Sequence, residues 1–238
     1  MSMSPAPQSP YQTSLHPWGA PSPAAPEKSG VGLMALIIGG VFLLIVALLA
    51  TLVLVGKKVE SGYPKAEYAL TVPGALVDGR YRLARDDSPT LGRALERSWR
   101  HSWDAESVHG VVAVYHADPG DGDRGDLTVT AMYGRIRNTA EVRARVLADN
   151  NARTTRVKLL VRPKEVTTPG SRIRVDCEVL TRTWADRSTL TYPVCVWADG
   201  NTWARVADMT FATTMNIDLR TAAETALRIR SEMVKPIR

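Results

Sequence analysis

Three features of the amino-acid sequence predict an α+β fold: an antiparallel sheet with helices packed on one face, preceded by a single transmembrane helix and a disordered proline-rich tail. Short segments alternate apolar and polar residues between turn signals. Between them, apolar residues recur at helical spacing. No charged residue occurs from Gly30 through Gly56. The 238 residues therefore divide into a tail (1–30), an apolar span (31–55), a polar stalk (56–67) and an α+β domain (68–238) that holds nearly all the charge. With 45% hydrophobic and 23% charged residues, a wholly disordered chain, a collagen-like repeat and a disulfide-dense mini-protein are excluded.

The tail carries seven of the 15 prolines and lacks the apolar pattern that would offset ordering entropy. Pro7-Gln8-Ser9-Pro10 and Pro23-Ala24-Ala25-Pro26 fit the P-x-x-P form that aromatic grooves bind, but a spacer this rich in proline produces the same spacing by chance. Residues 31–55 would span about 37 Å as a helix, against about 30 Å of hydrocarbon in a bilayer. A soluble helix keeps a polar stripe, and this segment has none. A cleaved signal peptide would carry a shorter apolar core near the N-terminus, whereas 30 residues precede this one and Lys57-Lys58 follow it. An uncleaved anchor fits better.

Within the domain, residues 68–72 read as a strand, Asp78-Gly79 as a turn and residues 81–83 as the next strand. Ser88 and Pro89 suit the N-cap and first position of a helix, with Leu91, Leu95, Trp99 and Trp103 inward and Arg93, Arg97 and Arg100 outward. Residues 111–116 and 127–133 form a hairpin, in which Leu127, Val129, Ala131 and Tyr133 share a face. Asn138-Thr139-Ala140-Glu141 resembles a capping box and opens a helix with Val142, Val146 and Leu147 inward. A third strand puts Val157, Leu159 and Val161 on one face and Arg156, Lys158 and Arg162 on the other. Pro169-Gly170 turns it into a fourth, where Ile173, Val175, Cys177 and Val179 align.

Two copies of W-A-D-x-x-T follow, beginning at Trp184 and Trp197, a hairpin-sized offset apart. The second contains the Asp199-Gly200 turn signal. Asp218 then caps a helix with Ala222, Ala226, Ile229 and Met233 on one stripe, stopped by Pro236. The order is ββαββαββββα, and short connections imply antiparallel pairing.

The segments from Asp78 to Leu83 and from Tyr133 to Ile136, and Pro193-Val194-Cys195-Val196-Trp197-Ala198-Asp199 with Thr202, resemble a group of uncharacterised actinobacterial single-pass membrane proteins. Those proteins share the tail, the single span and a C-terminal domain with a cysteine ahead of a C-x-W-A-D segment. The resemblance implies an extracytoplasmic domain and a disulfide, and it implies no activity. Lys57, Lys58 and Lys65 beyond the span, against Lys28 before it, favour a cytoplasmic domain by the positive-inside rule. Long domains translocate largely regardless of charge, and Cys177 and Cys195 fall in neighbouring strands. The expectation is a cytoplasmic tail and an extracytoplasmic domain at the cytoplasmic membrane.

Cys177 and Cys195 have no C-x-x-C and no histidine between them, so no metal site is expected. A disulfide there would contribute about 3 kcal/mol on the chain-entropy model; two buried free thiols are the alternative. Asp118, Asp121, Asp123 and Asp126 approach a calcium loop but lack its closing glutamate, and read as a solvated hairpin tip. His16, His101, His109 and His116 belong to no catalytic motif, and no phosphate-binding glycine loop is present. No catalytic residue or cofactor is assigned. Trp197, Asp199 and Trp203 surround one turn and form the candidate binding surface, with core packing of the tryptophans as the alternative.

Residues 59–238 carry a net charge of +4 with both signs dispersed, unlike a nucleic-acid footprint, so no nucleic-acid partner is expected. Lys57-Lys58 and the Arg93/Arg97/Arg100 face suit the lipid bilayer or an anionic envelope polymer, with an ordinary solvated surface as the alternative. The functional expectation is a membrane-anchored, non-enzymatic module that meets an envelope component or protein. An envelope enzyme or accessory subunit with an unrecognised site, and a cytoplasm-facing regulator, are the alternatives.

Overall fold

Alternating strands build one sheet here, and both of its faces are apolar. The structure, a computed structural model, describes residues 43–53, 62–118, 125–151, 156–210 and 217–237. The chain separates into two units, residues 1–53 and 54–238. In the first, residues 43–53 form helix α1 with every side chain exposed. The tail, the rest of the expected span and the stalk up to residue 61 lie outside the described residues. Among the described residues, no helix is long and apolar enough to cross a membrane.

The second unit runs β1 (Tyr68–Leu70), β2 (Ala75–Leu76), β3 (Tyr81–Asp86), α2 (Arg93–Trp99), β4 (Ala105–Ala117), β5 (Gly125–Ile136) and α3 (Thr139–Asn151). It continues through β6 (Val157–Val166), β7 (Val175–Thr183), β8 (Thr189–Ala198), β9 (Thr202–Thr210), α4 (Leu219–Met233) and β10 (Val234–Pro236). Eight strands pair antiparallel in the order β2-β3-β4-β5-β9-β8-β7-β6, and β1 pairs with β10 in a separate ribbon. The α+β class and the large antiparallel sheet match expectation. Hairpins join β4 to β5 and run from β6 through β9, and one crossover carrying α3 takes the chain from β5 to the far edge at β6, so that β9 returns beside β5.

The expectation of helices on one face is corrected by the packing. Buried Ala223, Ala226, Ile229 and Met233 of α4 join Val129, Cys177, Cys195 and Trp197 in one core cluster. Val142, Val146 and Leu147 of α3, with Trp99 of α2, join Met132, Tyr192, Val194, Val196 and Trp203 in a second. Successive residues of β8 enter opposite clusters, as a period of two requires. A strand covered on both sides must be apolar at nearly every position, and the run from Pro193 to Ala198 already carries that signature.

The two long edges of the sheet differ. Beyond the Asp86–Ala113 pairing, β4 is bordered by a π turn over Ser88–Gly92 and by α2. The Ser88 hydroxyl accepts from the Val112 amide at 3.2 Å, and the Glu96 carboxylate accepts from the Gly110 amide at 2.9 Å. Gly92 and Gly110 let the two backbones touch: a Cβ on Gly110 would stand 2.3 Å from the Gly92 carbonyl oxygen. Helix α2 stops at Trp99, so the expected inward stripe is only half realised. Trp99 is buried and Leu95 partly so, whereas Leu91 and Trp103 are exposed.

At the other edge, no strand pairs with the outer side of β6 among the described residues. Register shifts between Leu159 and Val161 and between Val161 and Lys164 break its alternation, so Leu159, Leu160 and Val161 are all exposed. Helix α4 also ends earlier than its proline suggests. Val234 turns extended (φ −78°, ψ 124°) and residues 234–236 pair with β1. Two tyrosines tie the first core together. The Tyr81 hydroxyl donates to Asp208 at 2.8 Å, and burial with the neighbouring carboxylate raises its pKa. The Tyr115 hydroxyl donates to the Pro73 carbonyl, and burial first, then Asp86 and Glu232, push it up to about 12.

Candidate interaction surface

Cys177 and Cys195 face each other across β7 and β8 and form a disulfide, with Cα atoms 4.1 Å apart. Closing this 18-residue separation restricts the unfolded chain by about 3 kcal/mol. The bond lies in the α4-side core, where both cysteines are buried.

The expected binding surface around the second W-A-D-x-x-T copy is corrected. Trp197 is 0% and Trp203 2% exposed, one in each core cluster. Asp199 is turned inward as the centre of a network. One of its oxygens accepts from the Asn201 and Thr202 amides at 2.8 and 2.7 Å. The other accepts from the Thr202 hydroxyl at 2.8 Å and from Arg230 of α4 at 2.9 and 2.6 Å. The Trp197 indole N–H donates in turn to Thr202 Oγ1 at 3.4 Å. Asn201 extends the network: its amide group donates to the Lys65 and Gly134 carbonyls at 2.6 and 3.2 Å, and its oxygen accepts from the Glu67 amide at 3.1 Å. The motif therefore joins the β8–β9 turn to α4, β5 and the stalk. Its role is architectural.

Periodicity turns inward an aromatic residue that the structure exposes. Trp103, in the turn between α2 and β4, is 75% exposed. It borders an open cleft of about 710 Å³ lined by Tyr63, Glu96, Trp99, Arg100 and Glu106. The turn beneath it is held firmly. The Trp103 carbonyl accepts from the Tyr63 hydroxyl at 2.8 Å and from Arg137 Nε. Asp104 accepts through its carbonyl from the Arg137 amide at 2.9 Å and through its carboxylate from Asn138 at 2.8 Å. Arg145 donates to the Ser102 hydroxyl at 3.0 Å.

Cations stack on the surrounding rings. Arg137 sits 4.6 Å and Arg135 5.5 Å from the Tyr63 ring centroid, and Arg145 lies 4.5 Å from that of Trp99. Trp99 in turn packs on Trp203 at 5.2 Å. Among the local acids, Glu106 pairs with Arg135 at 2.8 Å, and Glu96 accepts from the Gly110 amide. The result is a fixed backbone presenting a bare indole within a cationic rim. Such a rim suits a partner with both an apolar and an anionic part. The flanking turn formers Ser102 and Asp104 are the signal that separates Trp103 from the helix.

Of the carboxylate-rich hairpin tip, Asp118 accepts from Arg82 at 2.7 Å and Asp126 lies 2.7 Å from His116 Nδ1. Asp121 and Asp123 lie outside the described residues. His101 borders the Trp103 cleft, and His109 stacks on Tyr133 with ring centroids 5.0 Å apart. Beneath α3, buried Arg143 donates to Asp176 at 3.0 Å. On that same face, burial lowers the pKa of Arg205, an effect that Tyr192 and Glu178 oppose. No group of three or more His, Cys, Asp or Glu able to hold a metal ion occurs among the described residues. No protein-family model, curated protein or solved structure matches the chain.

Proposed function

We propose that the chain is a single-pass membrane protein that presents its α+β domain, outside the cytoplasm, as an interaction module. The Cys177–Cys195 disulfide carries this reading, because such bonds persist in oxidising compartments and are rare in the cytosol. The charge-free run from Gly30 through Gly56 supports the anchor, since its length suits the hydrocarbon core. The bare Trp103 on a rigid turn supports interaction as the role. Tryptophan is enriched at binding surfaces, where its large ring and polar N–H serve a partner together.

A second reading, a cytoplasm-facing regulator, is favoured by Lys57-Lys58 at the C-terminal side of the run. The two are separated by treating intact cells with protease and probing for an epitope placed after Arg238. Loss of the epitope, together with cysteines that resist alkylation until reduced, is the expected result. A protected epitope and two freely alkylated thiols would transfer the assignment to the cytoplasmic reading. Release of the chain by alkaline washing of membranes would remove the anchor.

A further inference from the structure

The strands place several exposed side chains at one end of the domain. Ala105 opens β4 opposite Ile136, the last residue of β5, and Tyr133 pairs with Thr202 beside the Asp199 turn. The stalk crosses this same end: the Pro64 carbonyl accepts from Arg135 of β5 at 3.0 Å, and the Lys65 carbonyl from Asn201. On one flank stand Trp103 and Tyr63, and on the other stand exposed Tyr68 and Ile237, the latter donating its amide to the Glu67 carbonyl at 2.9 Å. Lys65, Arg100 and Lys235 are exposed around them. Of the acids at this end, Asp104, Glu106 and Asp199 are engaged with Asn138, Arg135 and Arg230. Glu96 accepts from the Gly110 amide while partly exposed in the Trp103 cleft, and Glu67 is exposed.

We infer that this end of the domain docks on the anionic headgroup surface of the bilayer, with the Trp103 indole seated at the headgroup level. The inference rests on the membrane-anchored reading and adds to it a face and a ligand chemistry. Tryptophan and tyrosine favour the membrane–water boundary, where an amphipathic ring finds apolar and polar surroundings together. Arginine and lysine beside them gain from anionic lipid within a Debye length of about 8–10 Å. From Val55 to Tyr63 the chain has eight residues, at most about 28 Å of extended backbone. A tether this short keeps the face at high effective concentration beside the surface, so weak individual contacts suffice. The backbone of the Trp103 turn is already fixed by Tyr63 and Arg137, so docking orders little beyond the indole.

The test uses the full chain reconstituted into vesicles of phosphatidylcholine alone or of its equal mixture with phosphatidylglycerol, each with brominated acyl chains. Subtracting the emission of Trp103→Phe from that of the unmodified protein isolates Trp103, since the substitution leaves the turn's backbone bonds in place. Expected is a Trp103 component that is blue-shifted and quenched in the anionic vesicles, and weakened by high salt or by Arg100→Gln. Equal quenching in the two lipids would remove the anionic specificity and overturn the inference. An unquenched component in a chain that withstands alkaline washing would overturn docking while leaving the anchor standing. A component indifferent to lipid but shifted by polyglutamate would assign the face to an acidic protein instead. Release of the chain by the wash would overturn anchor and docking together.

Discussion

The two copies of W-A-D-x-x-T share one aspartate bond, to the amide two residues on, and meet opposite fates. In the first, Asp186 accepts from the amide and hydroxyl of Ser188, and Arg187 adopts φ 67° to close the β7–β8 hairpin. Trp184 lies half-buried under Arg182, and the turn stands in solvent. In the second, Asp199 makes the corresponding bond to the Asn201 amide, then adds Thr202 and Arg230. Trp197 at its start is fully enclosed. A six-residue pattern thus specifies a turn through its aspartate. Whether that turn becomes a junction depends on what the chain brings to it from residues 65–67, 134 and 230.

Alanine at the two tryptophans should separate the copies most widely. Trp197→Ala leaves a large cavity and should cost about 3–5 kcal/mol in urea denaturation, whereas Trp184→Ala should stay within about 1 kcal/mol. Equal losses would dissolve the distinction. Next, Cys177→Ser combined with Cys195→Ser should lower stability by about 3 kcal/mol, with the same far-UV spectrum at low denaturant. Asp199→Ala strands Arg230 and two amides and should cost about 2–3 kcal/mol, with a coupling to Arg230→Ala of about 1 kcal/mol or more in a double-mutant cycle. Asp186→Ala should leave the denaturation midpoint nearly unmoved.

The smallest effect is electrostatic. Hydrogen bonds from Ser188 hold the Asp186 carboxyl below the usual range, and those from Arg220 and Thr221 do the same for Asp218 at the start of α4. A lowered folded pKa means that each contribution is present above the unfolded value of about 3.9 and lost as pH falls through the folded one. Side-chain NMR titration should find both midpoints below the unfolded value. Midpoints at or above it would remove these caps from the acid limb of stability.

Strands β4, β5, β7 and β8 and helices α3 and α4 were legible because each buries residues at its own period. Val142, Val146 and Leu147 of α3 turn inward as spacing predicts. The assignment of faces was not legible in the same way: periodicity reports that one side of a helix is buried, but not against which side of a sheet. Trp103 was misread for a local reason. Its spacing from Trp99 is helical, yet the helix stops at Trp99, and a stripe has no meaning beyond its helix. For β6, the register shifts cancel the alternation seen in the sequence. The disulfide was legible because opposed strands in a hairpin bring such cysteines level.

Asn201 gives the domain a mechanical character. A pull on the chain from its N-terminal side meets Tyr63, held on the Trp103 carbonyl, then the Pro64 carbonyl held by Arg135, then the Lys65 carbonyl and Glu67 amide clasped by one carboxamide. Only past that clasp does the chain reach β1, whose ribbon with β10 would otherwise unzip from its end under tension. The clasp is itself braced across the sheet, since the Asn201 carbonyl accepts from the Gly134 amide and Gly200 accepts from Ile136. Traction is therefore passed into the middle of the eight-stranded sheet, where several bonds must shear together, and the C-terminal ribbon is spared.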